Sequence, residues 1–226
     1  MRRPVHPEAV LFDLDGTLAN TLPQLALAAR QASEDTGIKP PSIEEARSYV
    51  GNGTNMLLSR CIAGRVKFAP GEVDPQLLKK VRAAYNIRYM QGLADNYQLY
   101  EGVPEVLDTL RQRGIRLAVV TNKPQMFADP LLKYMGLYSK FDLVLGGEVL
   151  ETRKPDPNPL LYVLEKLGCR PEHSAMVGDS DNDMLAGKRA GMTCVFMTYG
   201  FYSGDPDTLV LDYKFDSFLR LRDIFE

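Results

Sequence analysis

The chain has 226 residues, 45% hydrophobic and 25% charged, with a formal net charge of −2. That is ordinary globular usage, long enough to bury a core without disulfides or a structural metal, and the near-neutral charge argues against a broad basic footprint for nucleic acid. Three cysteines (Cys61, Cys169, Cys194), none in a C-x-x-C pair, and two histidines (His6, His173) leave little for a zinc centre, a redox pair or Ser-His-Asp chemistry.

The N-terminus carries Arg2 and Arg3 but no apolar run of signal-peptide length behind them. No stretch approaches the roughly 18 apolar residues of a membrane span. The expectation is a soluble, cytoplasmic protein with no membrane or nucleic-acid partner. Residues 9–12 form the first apolar run, continuous rather than alternating, as in a strand buried on both faces. Residues 18–97 then read as helices, at 22–34, 53–62 and 75–93, with no strand of comparable strength. A crossover between parallel strands takes a dozen or more residues, so this excess predicts an inserted helical subdomain, hinged near 18–21 and 96–102. From residue 100 onward, helical patterns at 103–112, 160–167 and 181–190 alternate with apolar runs at 117–120, 143–145, 175–177 and 194–197. Gly114, Gly168 and Gly191 punctuate the helices. Such alternation means a parallel sheet with crossovers.

The chemistry-bearing residues follow those strands. The first runs into Asp13-Leu14-Asp15-Gly16-Thr17. Two carboxylates so close repel, so a cation or a raised pKa is expected. The second ends in Thr121-Asn122-Lys123, where a hydroxyl and turn N–H groups suit an anion. Lys154 stands before Pro155, Pro157 and Pro159 at a helix start and offers a point charge to phosphate. The fourth strand ends in Gly178-Asp179-Ser180-Asp181-Asn182-Asp183. Capping the next helix needs one carboxylate, not three, and an oxygen-rich cluster suits Mg²⁺. All four motifs fall at the carboxyl ends of strands, where open α/β sheets bind ligands, and together they fit phosphoryl transfer.

In these motifs the chain resembles the haloacid dehalogenase-like hydrolases with a helical cap, on Asp13-x-Asp15-Gly16-Thr17, Thr121-Asn122, Lys154-Pro155 and Gly178-Asp179-x-x-x-Asp183. Within that superfamily it is similar to the bacterial phosphoglycolate phosphatases, through Val50-Gly51-Asn52-Gly53, Val120 to Pro124, Lys154 to Leu161 and Thr198-Tyr199-Gly200. The resemblance implies an α/β fold: a Rossmann-like, doubly wound parallel sheet of about five strands, formed by residues 1–17 and 98–226, with an all-helical cap at 18–97. It implies a Mg²⁺-dependent phosphomonoesterase that hydrolyses 2-phosphoglycolate through an aspartyl-phosphate. Asp13 would be the nucleophile and Asp15 the general acid/base. Thr121, Asn122 and Lys154 would bind phosphate. Asp13, Asp179 and the backbone carbonyl of Asp15 would hold the metal, with Asp183 behind them. Asn52 and Gly53 of the cap, or a cap arginine such as Arg60 or Arg65, would take the leaving group. The partner would be a small phosphorylated metabolite and the chain a monomer or homodimer. The alternatives are another small-molecule phosphatase, a pyrophosphatase or a hexose-phosphate mutase, or a binding protein on an inactive fold. Two departures stand out: Asn20 replaces the family's usual aspartate, with equal capacity to cap a helix, and Asp181 replaces a frequent arginine, adding negative charge near the metal site.

Overall fold

The computed structural model describes residues 6–226; Met1 to Val5, with Arg2 and Arg3, lie outside the described residues. In chain order the elements are β1 (Ala9–Phe12), β2 (Ala19–Asn20), α1 (Leu22–Thr36), α2 (Ile43–Tyr49), α3 (Thr54–Ala63), α4 (Pro75–Gln91) and β3 (Gln98–Leu99). There follow α5 (Val103–Gln112), β4 (Arg116–Pro124), α6 (Gln125–Tyr134), β5 (Leu143–Gly147), α7 (Asn158–Leu167), β6 (Ser174–Gly178), α8 (Asp181–Ala190), β7 (Thr193–Met197), β8 (Tyr213–Phe215) and α9 (Leu221–Ile224). The chain divides into two compact units, Met1–Asn20 with Leu99–Glu226, and Thr21–Gln98.

The first unit is built on a parallel sheet in the order β5-β4-β1-β6-β7-β8. The chain winds outward from β1 in both directions, as in other doubly wound sheets. Phe12, the last residue of β1, is in register with Val119 of β4 and Val177 of β6. Every residue of β1 is fully buried, which is why the run is apolar without alternation. Leu11 packs with Val163 and Leu164 of α7 and with Ala186 of α8. Phe12 packs instead against the rings of Phe141 and Phe218, at centroid distances of 6.3 and 5.7 Å. Successive strand side chains alternate faces, so these two neighbours define the two helical layers.

Among the described residues the sheet has six strands, against an expectation of about five. The sixth, β8, pairs with β7 at the sheet edge through Val195↔Tyr213 and Met197↔Phe215. Its three residues are partly exposed and include Lys214, so no apolar run marks it. Helix α6 was not foreseen either. It follows β4 directly and contains Pro130.

The second unit is all-helical apart from the strand residue at its exit. Helix α1 closes on Gly37 in the left-handed conformation, and α4 opens on Asp74, whose carboxylate accepts from Gln76 N–H at 2.9 Å. Gln24 of α1 is buried and donates to the carbonyls of Gly92, Leu93 and Asp95 at 3.0, 2.7 and 3.1 Å, while Tyr89 Oη donates to its Oε1. One side chain thus satisfies the turn that ends α4. Helix α2, absent from the sequence reading, starts with a capping box in which Ser42 and Glu45 bond each other's backbone N–H. Asn20 does not cap α1: it belongs to β2, and the N-cap position is Thr21. Cys61, Cys169 and Cys194 are free thiols. Among the described residues no helix is long and apolar enough to cross a membrane.

Candidate active site

The site is assembled where β1, β4 and β6 end. Asp13 follows β1 and donates its N–H to Val177 O at 3.0 Å, which fixes it against β6. The chain then turns sharply: Leu18 N–H donates to Leu14 O at 3.0 Å and Gly16 N–H to Ala19 O at 2.9 Å. Gly16 has φ +86°, and a Cβ there would overlap the Asp179 carboxyl. Glycine is required for both reasons. Thr17, fully buried, donates from Oγ1 to Asp179 Oδ1 at 3.0 Å. The second oxygen of Asp179 accepts from Phe201 N–H at 2.7 Å. Gly200 packs so closely that a Cβ there would also overlap this carboxyl. Tyr199 donates its hydroxyl to Thr17 O at 2.8 Å, so the turn after β7 buttresses the loop after β1.

Two buried lysines serve the two aspartates of the first motif. Lys154 Nζ lies 2.9 Å from Asp13 Oδ1, 2.6 Å from Val120 O and 2.6 Å from Asp183 Oδ1. An ammonium has three donors, and each has a partner here. Asp183 is itself pinned, since its Oδ2 accepts from Ser180 N–H at 3.1 Å and Ser180 Oγ at 2.6 Å in the capping box of α8. Lys123 Nζ bridges both carboxylate oxygens of Asp15 at 2.9 and 3.0 Å. Thr121 and Asn122 lie on β4 beside them. Thr121 Oγ1 accepts from Lys123 N–H at 3.2 Å, and Asn122 Nδ2 donates to Lys154 O at 3.0 Å.

Asp13, Asp179 and Asp183 are all buried, and one carboxylate oxygen from each lies within 4.8 Å of the others. Burial pushes the Asp13 carboxyl up to about 6; Lys154 opposes this, and Asp183 and Asp15 reinforce it. Burial, then Asp13 and Asp183, hold Asp179 well above the usual carboxylate range against the hydrogen bonds from Phe201 and Thr17. Burial alone would lower Lys154, but Asp13 and Asp183 outweigh it and raise it. Three buried carboxylates so close together, with hard oxygen donors only, fit a divalent metal ion.

The structure brings Asp13, Asp179, Asp183 and Lys154 into one cluster, with Thr121, Asn122 and Asp15 at the ends of the same strands. Asn52 and Gly53 belong to the other unit. There Gly53 is the N-cap of α3, with φ 83°, and Asn52 Oδ1 accepts from Arg60 Nη2 at 2.9 Å. Arg60 also donates to Tyr49 O at 2.8 Å and Val66 O at 3.2 Å, and Arg65 pairs with Glu72. Both cap arginines are therefore engaged within their own unit. Asp181 is exposed on the first turn of α8, where a carboxylate complements the helix dipole, and it stands outside the carboxylate cluster. Sequence reasoning missed Lys123. The available signal was its place two residues after Thr121, but its partner lies 108 residues away.

The chain matches the haloacid dehalogenase-like hydrolase family over residues 10–197. It belongs to that family. Among relatives, it is 39% identical to a phosphoglycolate phosphatase of Pseudomonas putida over 88% of this chain and 72% of that one. It is 40% identical to phosphoglycolate phosphatase 1 of Pseudomonas aeruginosa over 91% of this chain and 76% of that one. A crystal structure described as a predicted phosphoglycolate phosphatase from Haemophilus somnus superimposes with a TM-score of 0.89 at 35% identity, covering 96% of this chain and 97% of that chain.

Proposed function

We propose that this protein hydrolyses 2-phosphoglycolate to glycolate and phosphate, with Asp13 as the nucleophile. The observation that carries the phosphatase chemistry is the buried cluster of Asp13, Asp179 and Asp183 around Lys154. The substrate rests on the relatives named phosphoglycolate phosphatase.

In this reading an Asp13 carboxylate oxygen bonds to phosphorus as the ester P–O bond breaks, and Asp15 gives its proton to the departing glycolate oxygen. Asp15 then takes a proton from water as that water attacks the aspartyl-phosphate, and the Asp13 carboxylate is released. Thr121 Oγ1, Asn122 N–H and Lys154 hold the phosphate oxygens, with a phosphate oxygen taking over one of the Lys154 hydrogen bonds. Asp183 keeps the lysine aimed. A Mg²⁺ ion held by Asp13, Asp179 and the Asp15 carbonyl would supply the positive charge that lets a carboxylate approach a phosphate ester. Asn52 and Gly53 are assigned to the leaving group, with Arg60, bonded to Asn52 Oδ1 in that loop, as the alternative.

Phosphate release from 2-phosphoglycolate against a panel of small phosphate monoesters tests this, with Mg²⁺, an EDTA blank and Asp13→Asn as control. We expect kcat/KM for 2-phosphoglycolate to exceed the others by about a hundredfold, and EDTA or Asp13→Asn to abolish turnover. A flat panel overturns the substrate, and wild-type activity in Asp13→Asn overturns the mechanism.

A further inference from the structure

Lys123 is a buried cation that the phosphate-binding and metal-binding roles leave unused. Its side chain is 2% exposed and its partner, Asp15, 15% exposed. A buried ammonium is kept only where a partner offsets its desolvation, and this one meets both oxygens of a single carboxylate. Its backbone is fixed from two sides. Its N–H is held by Thr121 Oγ1, and the next residue, Pro124, is in register with Gly147 of β5. The two lysines therefore divide the two aspartates between them, Lys154 taking Asp13 and Lys123 taking Asp15.

We infer that Lys123 is a positioning residue that sets the orientation of the Asp15 carboxyl for proton exchange with the leaving group. The inference rests on the reading above, in which Asp15 is the general acid/base. Without the ammonium, the carboxyl loses its bidentate contact with Lys123, and its orientation beside the substrate is less well set. The cost then falls on the step that needs a proton. A glycolate alkoxide must be protonated as it leaves, whereas the acetate of acetyl phosphate leaves as a stable anion.

The test is kcat/KM for 2-phosphoglycolate and for acetyl phosphate in the wild type, Lys123→Met, Asp15→Asn and the double variant. Lys123→Met should lower the alkyl ester by about a hundredfold and the acyl phosphate by less than about tenfold, because general acid catalysis contributes on that scale only where a proton is required. In the Asp15→Asn background Lys123→Met should change neither substrate more than about threefold, since a residue acting through another is non-additive with it. Equal losses on both substrates, or full additivity with Asp15→Asn, overturn the inference. If Asp15→Asn is selective for the alkyl ester and Lys123→Met is not, only the role of Lys123 falls. If Asp15→Asn itself hits both substrates equally, the general-acid reading falls and this inference with it. Circular-dichroism melts establish folding, and where Lys123→Met does not fold, Lys123→Gln carries the same comparison with the same signs.

Discussion

Ionising Asp13 at neutral pH places a negative charge beside Asp179 and Asp183 in a largely buried site, with Lys154 set against it. Burial wins, and the carboxyl is raised from 3.8 to about 6. In metal-free protein the folded state therefore holds this proton more tightly than the unfolded chain does. The contribution of Asp13 to stability falls as pH rises from about 4 to about 6 and is least favourable at neutral pH. Asp13→Asn removes the cost and leaves Lys154 its bonds to Asp183 and Val120. In EDTA at pH 7 the variant should be more stable than wild type, by roughly a few degrees in Tm, with the difference shrinking toward pH 4. Melts at the two pH values check this, and a variant less stable at pH 7 contradicts it. The aspartates of this network were legible in the sequence because Asp179 and Asp183 follow one buried strand and Asp13 and Asp15 another. The lysine on Asp15 was not, since Lys123 after Thr-Asn looks like a solvated turn residue until the sheet places β1 beside β4.

Among the elements, the strands at the centre announced themselves because both faces are buried, leaving unbroken apolar runs. The edge strand β8 is short and half in water, and α2 depends on a capping box rather than on a long apolar stripe. The turn after β7 shows how an element can matter without touching the reacting atoms. It gives Asp179 a hydrogen bond from Phe201 N–H and leaves no room for a side chain at Gly200. Gly200→Ala should displace the Asp179 carboxyl and weaken Mg²⁺ binding by tenfold or more, as loss of a supporting contact commonly does. Calorimetric titration of the folded variant with Mg²⁺ measures it; wild-type affinity would show that Asp179 does not need this turn.

For the molecule as a whole, the two units are foreshadowed by the chain order. A strand, a long helical insertion and then a regular β/α alternation predict a sheet interrupted once; the two compact units are Met1–Asn20 with Leu99–Glu226, and Thr21–Gln98. The chemistry-bearing residues brought together in the site belong to the sheet unit, whereas the loop assigned to the leaving group, at Asn52 and Gly53, belongs to the helical one. Sequence pattern could assign chemistry to the first because its motifs name charges and hydroxyls. For the second it offered only a glycine-rich loop and two arginines, which the structure ties to partners within that unit. In the proposed reaction the phosphoryl group passes through Asp13. Mass spectrometry of peptides from enzyme acid-quenched during turnover of 2-phosphoglycolate tests this. A single phosphoryl increment is expected on the peptide containing Asp13, absent in Asp13→Asn and in EDTA. Phosphate release with no adduct, or with the adduct on another residue, would contradict it.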